Sequence, residues 1–498
     1  MIFLGIDCGT QSTKTIALDW ESGEVLASAQ KAYGFVPGLP PGAMEQNPSD
    51  WVEAADETVT AVIGQLGSRR DRVRAIGVSG QQHGLVVLDG DGKVVRPAKL
   101  WCDTSTAGEC DEITRHFGGA AEMIARTGNA MLPGFTAPKI LWLRKNEPAN
   151  WKRTATVLLP HDYLNFWLSG QARMEFGDAS GTALLDVRER CWAGDVVDFI
   201  APDLGEKLPK LDSSTKAAGI LRPELAAKWG LRRDVEISSG GGDNMMGAIG
   251  TGNIEPGVVT ASLGTSGTLF AFSKTPIIDQ AGEVAGFCDS TDNWLPLVCT
   301  MNLTLVTEAV RKLFGWGYEE FDRQVESVAA GADGLLLLPY LTGERTPNLP
   351  RSTGVLHGMT TGNFSSAHIA RAAIEGITLG LGYGVARFRE LGLVPTEVRL
   401  TGGGSNSRAW RQICADVFGV PVVCLKSGEG AGLGAAIQAG WIWNKENGAD
   451  ASLAEICERL VELDGGSRLM PGPSSEVYPA LLARGGAVRL SLVGAGLL

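Results

Sequence analysis

The sequence predicts an α/β protein made of two similar halves, each a mixed sheet with helices packed against it. Two observations carry this. Short apolar runs bounded by glycine turns alternate with helical stretches along the chain, and one motif, strand, Gly-Thr turn, strand, occurs twice about half a chain apart. Its copies are DCGTQSTK (7–14) and LGTSGTLF (263–270), with turns opening at Gly9 and Gly264. A boundary is expected between 245 and 255, dividing the chain into domains 1–248 and 249–498.

Taken in order, IFLGID, TKTIALD and VLASAQ read as three strands joined by the turns CGTQS and WESGEV. Asn47-Pro48 then places a cap before proline at the first helical position, and Trp51, Ala55, Val59, Val62 and Leu66 line one helical face. RAIGVSG (74–80) returns to a strand, and LVVLDGDGKVV (85–95) carries Asp-Gly turns between apolar residues, a hairpin signal. ISSGGGDNMMGAIGTG (237–252) reads as strand, glycine turn, helix. The second half adds a long helix, 367–388, with Gly376, Gly380 and Gly384 at four-residue steps for close packing. TGGGSNS (401–407) joins a strand to a helix, and past about 445 the pattern supports one helix, SLAEICERLVEL.

The 498 residues are 44% hydrophobic, enough for substantial cores. A formal charge of −12 argues against nucleic-acid or anionic-membrane partners. Phosphate ligands stay open, because helix N-termini hold anions without a basic surface. The nine cysteines are odd in number, scattered and without a CxxC pair, which fits reduced thiols rather than a disulfide framework. No basic leader opens the chain, and no apolar run approaches the roughly 20 residues of a membrane span. A soluble, cytoplasmic protein is expected.

Several segments carry candidate chemistry. In DCGTQSTK the turn residues Gly9, Thr10, Gln11, Ser12, Thr13 and Lys14 offer amides and hydroxyls to phosphate, and Asp7 is placed for a hydrated cation or for capping the turn. Asp243 sits where an N-cap belongs, so it either caps the helix or, ionised there, acts as general base for a hydroxyl. Gln81, Gln82 and His83, with Trp101 and Asp103 of LWCD, combine polar edges with an indole face, as a sugar site does. Taken alone, His83 and Trp101 read more readily as core residues. GAGLGA (430–435) fits a dinucleotide fingerprint, but no βαβ unit follows, so helix packing is the better reading. P-loop, CxxC and G-x-S-x-G signatures are absent.

Together these segments resemble the FGGY carbohydrate kinases, relatives of actin and the heat-shock ATPases, from residue 1 to about 445. DCGTQSTK and LGTSGTLF resemble the family's two phosphate hairpins, TGGGSNSRAWRQICADVFGVPV its adenosine motif, and HIARAAIEGITLGLGYGV its C-terminal signature. GQQHGLVVLD resembles the sugar motif GQMHGLVLLD with Gln82 for Met, LWCD resembles LWND with Cys102 for Asn, and GGGDNMMGAIGTG resembles GGGDNAAGAVG. The resemblance implies two ribonuclease-H-like domains with a cleft between them. It implies ATP-dependent phosphorylation of D-xylulose at its C5 hydroxyl, with ribulose or another ketose as the alternative, and an actin-like ATPase more remotely. Asp243 would be the base and Asp7 would position Mg²⁺, through water. Gln82, His83, Trp101, Asp103, Asp243 and Asn244 would hold the sugar. Thr10, Gln11, Ser12, Thr13, Lys14, Gly264, Thr265, Gly402, Gly403, Gly404 and Asn406 would hold ATP. A homodimer is what the family suggests.

Overall fold

A computed structural model describes residues 1–428, 430–449 and 451–498. It separates into two compact units, one of residues 1–254, 273–296 and 429–461, the other of residues 255–272, 297–428 and 462–498. The first crossing lies just past the expected 248/249 division, and two later segments return to the first unit.

In the first unit, β1 (Ile2–Cys8), β2 (Ser12–Asp19), β3 (Val25–Ala32), β4 (Val73–Gly80), β5 (Ala217–Ile220) and β6 (Glu236–Ser238) form a sheet of order β5-β6-β4-β1-β2-β3. β1, β2 and β3 are an antiparallel meander, β4 runs parallel to β1, β6 parallel to β4, and β5 antiparallel at the edge. The second unit repeats the pattern with β7 (Val258–Leu263), β8 (Gly267–Ala271), β9 (Trp294–Thr300, in this unit from Leu297), β10 (Glu397–Thr401), β11 (Val422–Leu425) and β12 (Leu463–Leu469) in the path β9-β8-β7-β10-β11-β12. Its pairings carry the same signs: antiparallel from β7 to β8 and β8 to β9, parallel from β7 to β10 and β10 to β11, antiparallel to β12. The two Gly-Thr turns therefore occupy equivalent places in two like sheets.

The helix Pro48–Leu66 buries Trp51, Ala55, Val59, Val62 and Leu66 in one core with Ile6, Ala17 and Val78 of the sheet. Each valine, leucine or isoleucine among them contributes roughly 1.5–3 kcal/mol of burial. Asn47 precedes it in extended backbone, but its side chain makes no capping bond. GAGLGA opens the helix Gly430–Glu446, and its glycines serve packing: a Cβ on Gly434 would overlap the Met246 carbonyl, and one on Gly5 of β1 would overlap that of Gly432. The 85–95 segment closes as a short antiparallel hairpin, with Asp89 N donating to Lys93 O and Val95 N to Val87 O at 2.9 Å each and Leu88 opposite Val94, while Val86–Leu88 pairs in register with Thr156–Leu158 on its other edge. The terminal segment holds β12 and a helix, Tyr478–Gly494, besides the expected helix at Leu453–Leu460. Among the described residues no helix is long and apolar enough to cross a membrane, and no disulfide joins the cysteines.

Candidate active site

The site of the first unit grows from the carboxyl ends of neighbouring parallel strands, where α/β sheets place ligands. β1 and β4 finish side by side, with Asp7 opposite Ser79 and Cys8 opposite Gly80. Gly241 and Gly242 add two residues along β4, opposite Ser79 and Gly80. Asp7, the segment from Gln81 to His83, and Asp243 thus emerge together although they lie far apart in sequence. Ser79 Oγ donates to Asp7 Oδ1 at 2.9 Å, fixing that carboxylate at the strand end.

Asp243 is the first residue of the helix Asp243–Gly250, and Gly242 is its N-cap, so the acid sits one position later than expected. Asn244 Nδ2 donates to Asp243 Oδ1 at 2.9 Å and to Gln82 Oε1 at 2.8 Å. A single amide therefore ties the acid to the Gln82 turn. Gly242 permits this closeness, because a Cβ there would lie 2.6 Å from Gln82 Cγ. Burial, then repulsion from Asp7 and Asp178, pushes the Asp243 carboxyl up to about 7, against hydrogen bonds from Asn244 that favour the ion. The helix N-terminus was expected to favour the ionised form. In an eight-residue helix that influence is outweighed by desolvation and two like charges.

His83 adopts φ 63° and packs its ring on Phe135 and Phe287, with centroids 4.9 and 5.6 Å away. Its carbonyl accepts from Lys139 Nζ at 2.9 Å and Thr136 Oγ1 at 3.1 Å, which braces the turn from below. Trp101 Nε1 donates to Thr10 Oγ1 at 2.9 Å, and Thr10 Oγ1 donates to Gln81 Oε1 at 3.2 Å, linking the indole, the first phosphate turn and the sugar-type motif. Asp103 is placed differently from expectation. It is fully buried; Oδ2 accepts from Met44 N and Lys99 Nζ, and Oδ1 from Ser105, so it anchors the Trp101 loop from inside. Thr13 is also fully buried, its hydroxyl donating to Tyr33 at 3.3 Å, while Ser12 and Lys14 take the other face of the strand.

A buried charge cluster behind Asp243 has no signature in the sequence. His161 Nδ1 lies 2.6 Å from Asp178 Oδ2, and Nε2 lies 3.1 Å from Asp162 Oδ1. Burial opposes protonation of His161, yet Asp162, Asp178 and Glu175 outweigh it and push the imidazole up to about 9. These residues come from separate segments, so no spacing announces them.

In the second unit, Leu263 pairs with Gly267 and the turn Gly264-Thr265-Ser266 projects beyond them. Leu303 N donates to Thr265 O at 3.1 Å and Thr304 N to Gly264 O at 3.0 Å. The parallel neighbour β10 ends at the same level, with Ser262 opposite Thr401. Gly402 follows at φ 81°, with no room for a Cβ beside the Leu263 carbonyl, so the two nucleotide-type loops lie against each other. Gly402, Gly403 and Asn406 are exposed, whereas Gly404 is buried under the Trp410 ring. Ser407 caps the next helix, accepting from Trp410 N at 3.1 Å. Among the described residues no cluster of three metal-ligating side chains occurs.

Comparison with known proteins agrees with this architecture. Residues 2–250 match the N-terminal domain of the FGGY family of carbohydrate kinases, and 259–443 match its C-terminal domain. A xylulose kinase of Haemophilus influenzae is 41% identical over 479 residues, 95% of this chain and 96% of its own. The solved structure of a xyloylose kinase from Brucella ovis superposes with TM-score 0.92 at 30% identity, covering 99% of this chain and 100% of its own. A gluconate kinase from Lactobacillus acidophilus reaches TM-score 0.91 at 26% identity, covering 99% of this chain and 98% of its own. With both domain models matched and the duplicated ribonuclease-H-like sheets in place, the chain belongs to the FGGY family of carbohydrate kinases, enzymes that phosphorylate sugars with ATP.

Proposed function

We propose that this enzyme phosphorylates D-xylulose on its C5 hydroxyl, with Asp243 as general base, in the cytoplasm. The supporting observation is the hydrogen-bonded row Gln82, Asn244, Asp243, which sets a proton acceptor with pKa about 7 against neutral amide groups suited to sugar hydroxyls. Gln82, His83, Asn244 and the face of Trp101 form the sugar wall. Asp103 drops out of it, since its oxygens are occupied within the protein.

For ATP, the amides and hydroxyls of Thr10, Gln11, Ser12 and Lys14 and of Gly264-Thr265 receive phosphate oxygens, and Gly402, Gly403 and Asn406 border the nucleoside. Thr13 and Gly404 support these loops from within. Mg²⁺ suits the donors present: Asp7 offers carboxylate oxygen at a strand end, and Mg²⁺ in phosphoryl-transfer sites is held by one or two carboxylates, phosphate oxygens and water. Bound MgATP supplies the phosphoryl group and neutralises its charge. The protein's part is to orient the C5 oxygen, take its proton at the Asp243 carboxylate, and present fixed donors to the phosphates.

The test is ADP release with D-xylulose, D-ribulose, L-ribulose, D-gluconate, glycerol and no acceptor. The expected result is a kcat/KM for D-xylulose about tenfold or more above any other, about 1.4 kcal/mol of discrimination. A different preferred acceptor overturns the substrate, and ADP release independent of acceptor overturns the kinase reading of this site.

A further inference from the structure

The turn that leads from β6 to Asp243 is held by a side chain from nearly two hundred residues later. β6 ends at Ser238 and the chain bends through Gly240 at φ 66°, its Cα so close to the Val78 carbonyl that no side chain fits. Backbone groups buried in such a bend require partners. Both groups of Gly240 find them on Gln438: Gly240 N donates to Gln438 Oε1 at 2.9 Å, and Gln438 Nε2 donates to Gly240 O at 3.1 Å. Ser238 Oγ donates to the same Oε1 at 3.0 Å. Nε2 also faces Ser239 Oγ at 3.0 Å and the carbonyls of Ser214 and Ser290 at 3.3 Å each. Gln438 is fully buried, and its helix is locked by glycine contacts to β1, β4 and the helix of Asp243 itself.

We propose that Gln438 is a positioning residue for phosphoryl transfer: its carboxamide clamps the Ser238–Gly240 turn and so fixes where Asp243 stands. This rests on Asp243 being the base. The position demands an amide. Glutamate would turn a second acceptor toward the Ser214, Gly240 and Ser290 carbonyls, and methionine, of similar size, would leave both Gly240 groups unpartnered. A base displaced by about 1 Å costs about 10²-fold in rate.

The experiment compares wild type, Q438M, Q438E and D243N for kcat, for KM of D-xylulose and of ATP, for thermal midpoint, and for hydrogen exchange by peptide. The expected result is a kcat about 10²-fold lower in both Gln438 variants, an ATP KM within about threefold of wild type, and faster exchange confined to the peptides covering 238–244. A residue that merely stabilises the fold would lower the midpoint and leave the kcat of folded enzyme unchanged. Q438M with kcat within about threefold of wild type, beside an inactive D243N, overturns the proposal while the reading of Asp243 stands. D243N with near-native turnover overturns that reading instead. If Q438M does not fold, Q438N, which keeps an amide one methylene short of Gly240, is judged by the same criteria.

Discussion

At the residue scale the chemistry turns on the charge of Asp243. A base held at about 7 is half protonated near neutrality, so kcat/KM should rise with pH through about 7 on its acid limb. Asp178→Asn removes one of the two negative charges that raise it, and the limb should move to lower pH, read from a pH-rate profile. Asp243→Asn should lower kcat by roughly 10²–10⁴-fold with circular dichroism unchanged. The same substitution has a consequence for stability. The carboxyl titrates at about 3.8 unfolded and about 7 folded, so between those values the folded state binds more protons and stability falls as pH rises. Asp243→Asn should therefore raise the melting temperature above wild type near pH 8 and leave it close to wild type near pH 4, measured by calorimetry. Asp7→Ala should raise the Mg²⁺ concentration needed for half-maximal activity, and an unchanged Mg²⁺ titration would reduce Asp7 to a turn residue. Asp7, Gln82 and Asp243 were legible because each lies in a contiguous motif. Thr13 is a residue that strand parity would have sorted: with Ser12 and Lys14 on one face, Thr13 must point to the other.

At the scale of elements, glycine spacing decides which pieces touch. In the helix 366–390 the four-residue steps foretold close packing at Gly376, Gly380 and Gly384; Gly376 and Gly384 abut Leu337 and Leu269, whereas a Cβ on Gly380 would meet nothing within 4 Å. The helix Gly430–Glu446 is tighter, because its glycines meet main chain, which cannot swing aside. Gly434→Ala would drive a methyl into the Met246 carbonyl and should cost about 3 kcal/mol or more, checked by urea unfolding. The 85–95 segment shows the opposite limit of local reading. Asp-Gly chemistry settles the turn and its local closure, but the second partner of Val86–Leu88 is a strand some seventy residues on.

At the scale of the molecule, the two sheets repeat one plan of strand order and pairing, yet the first unit is not complete within the first half of the chain. Segment 429–461 belongs to it, bringing the helix that packs under β1 and β4 and the side chain that clamps the Asp243 turn. A chain ending at 428 should fail to give the cooperative unfolding of the first unit and should show no sugar-dependent ADP release. The sequence by itself determined the duplicated α/β plan, the two Gly-Thr turns, the acids at strand ends and the sugar-type motif, because turn chemistry and periodicity are properties of contiguous residues. Only the tertiary structure decided that Thr13 and Asp103 face inward, that Asp243 is lifted to about 7, that a His161 cluster lies behind it, and that Gln438 bonds the Gly240 turn leading to it. Burial and charge are sums over neighbours from distant parts of the chain, and no local pattern carries such a sum.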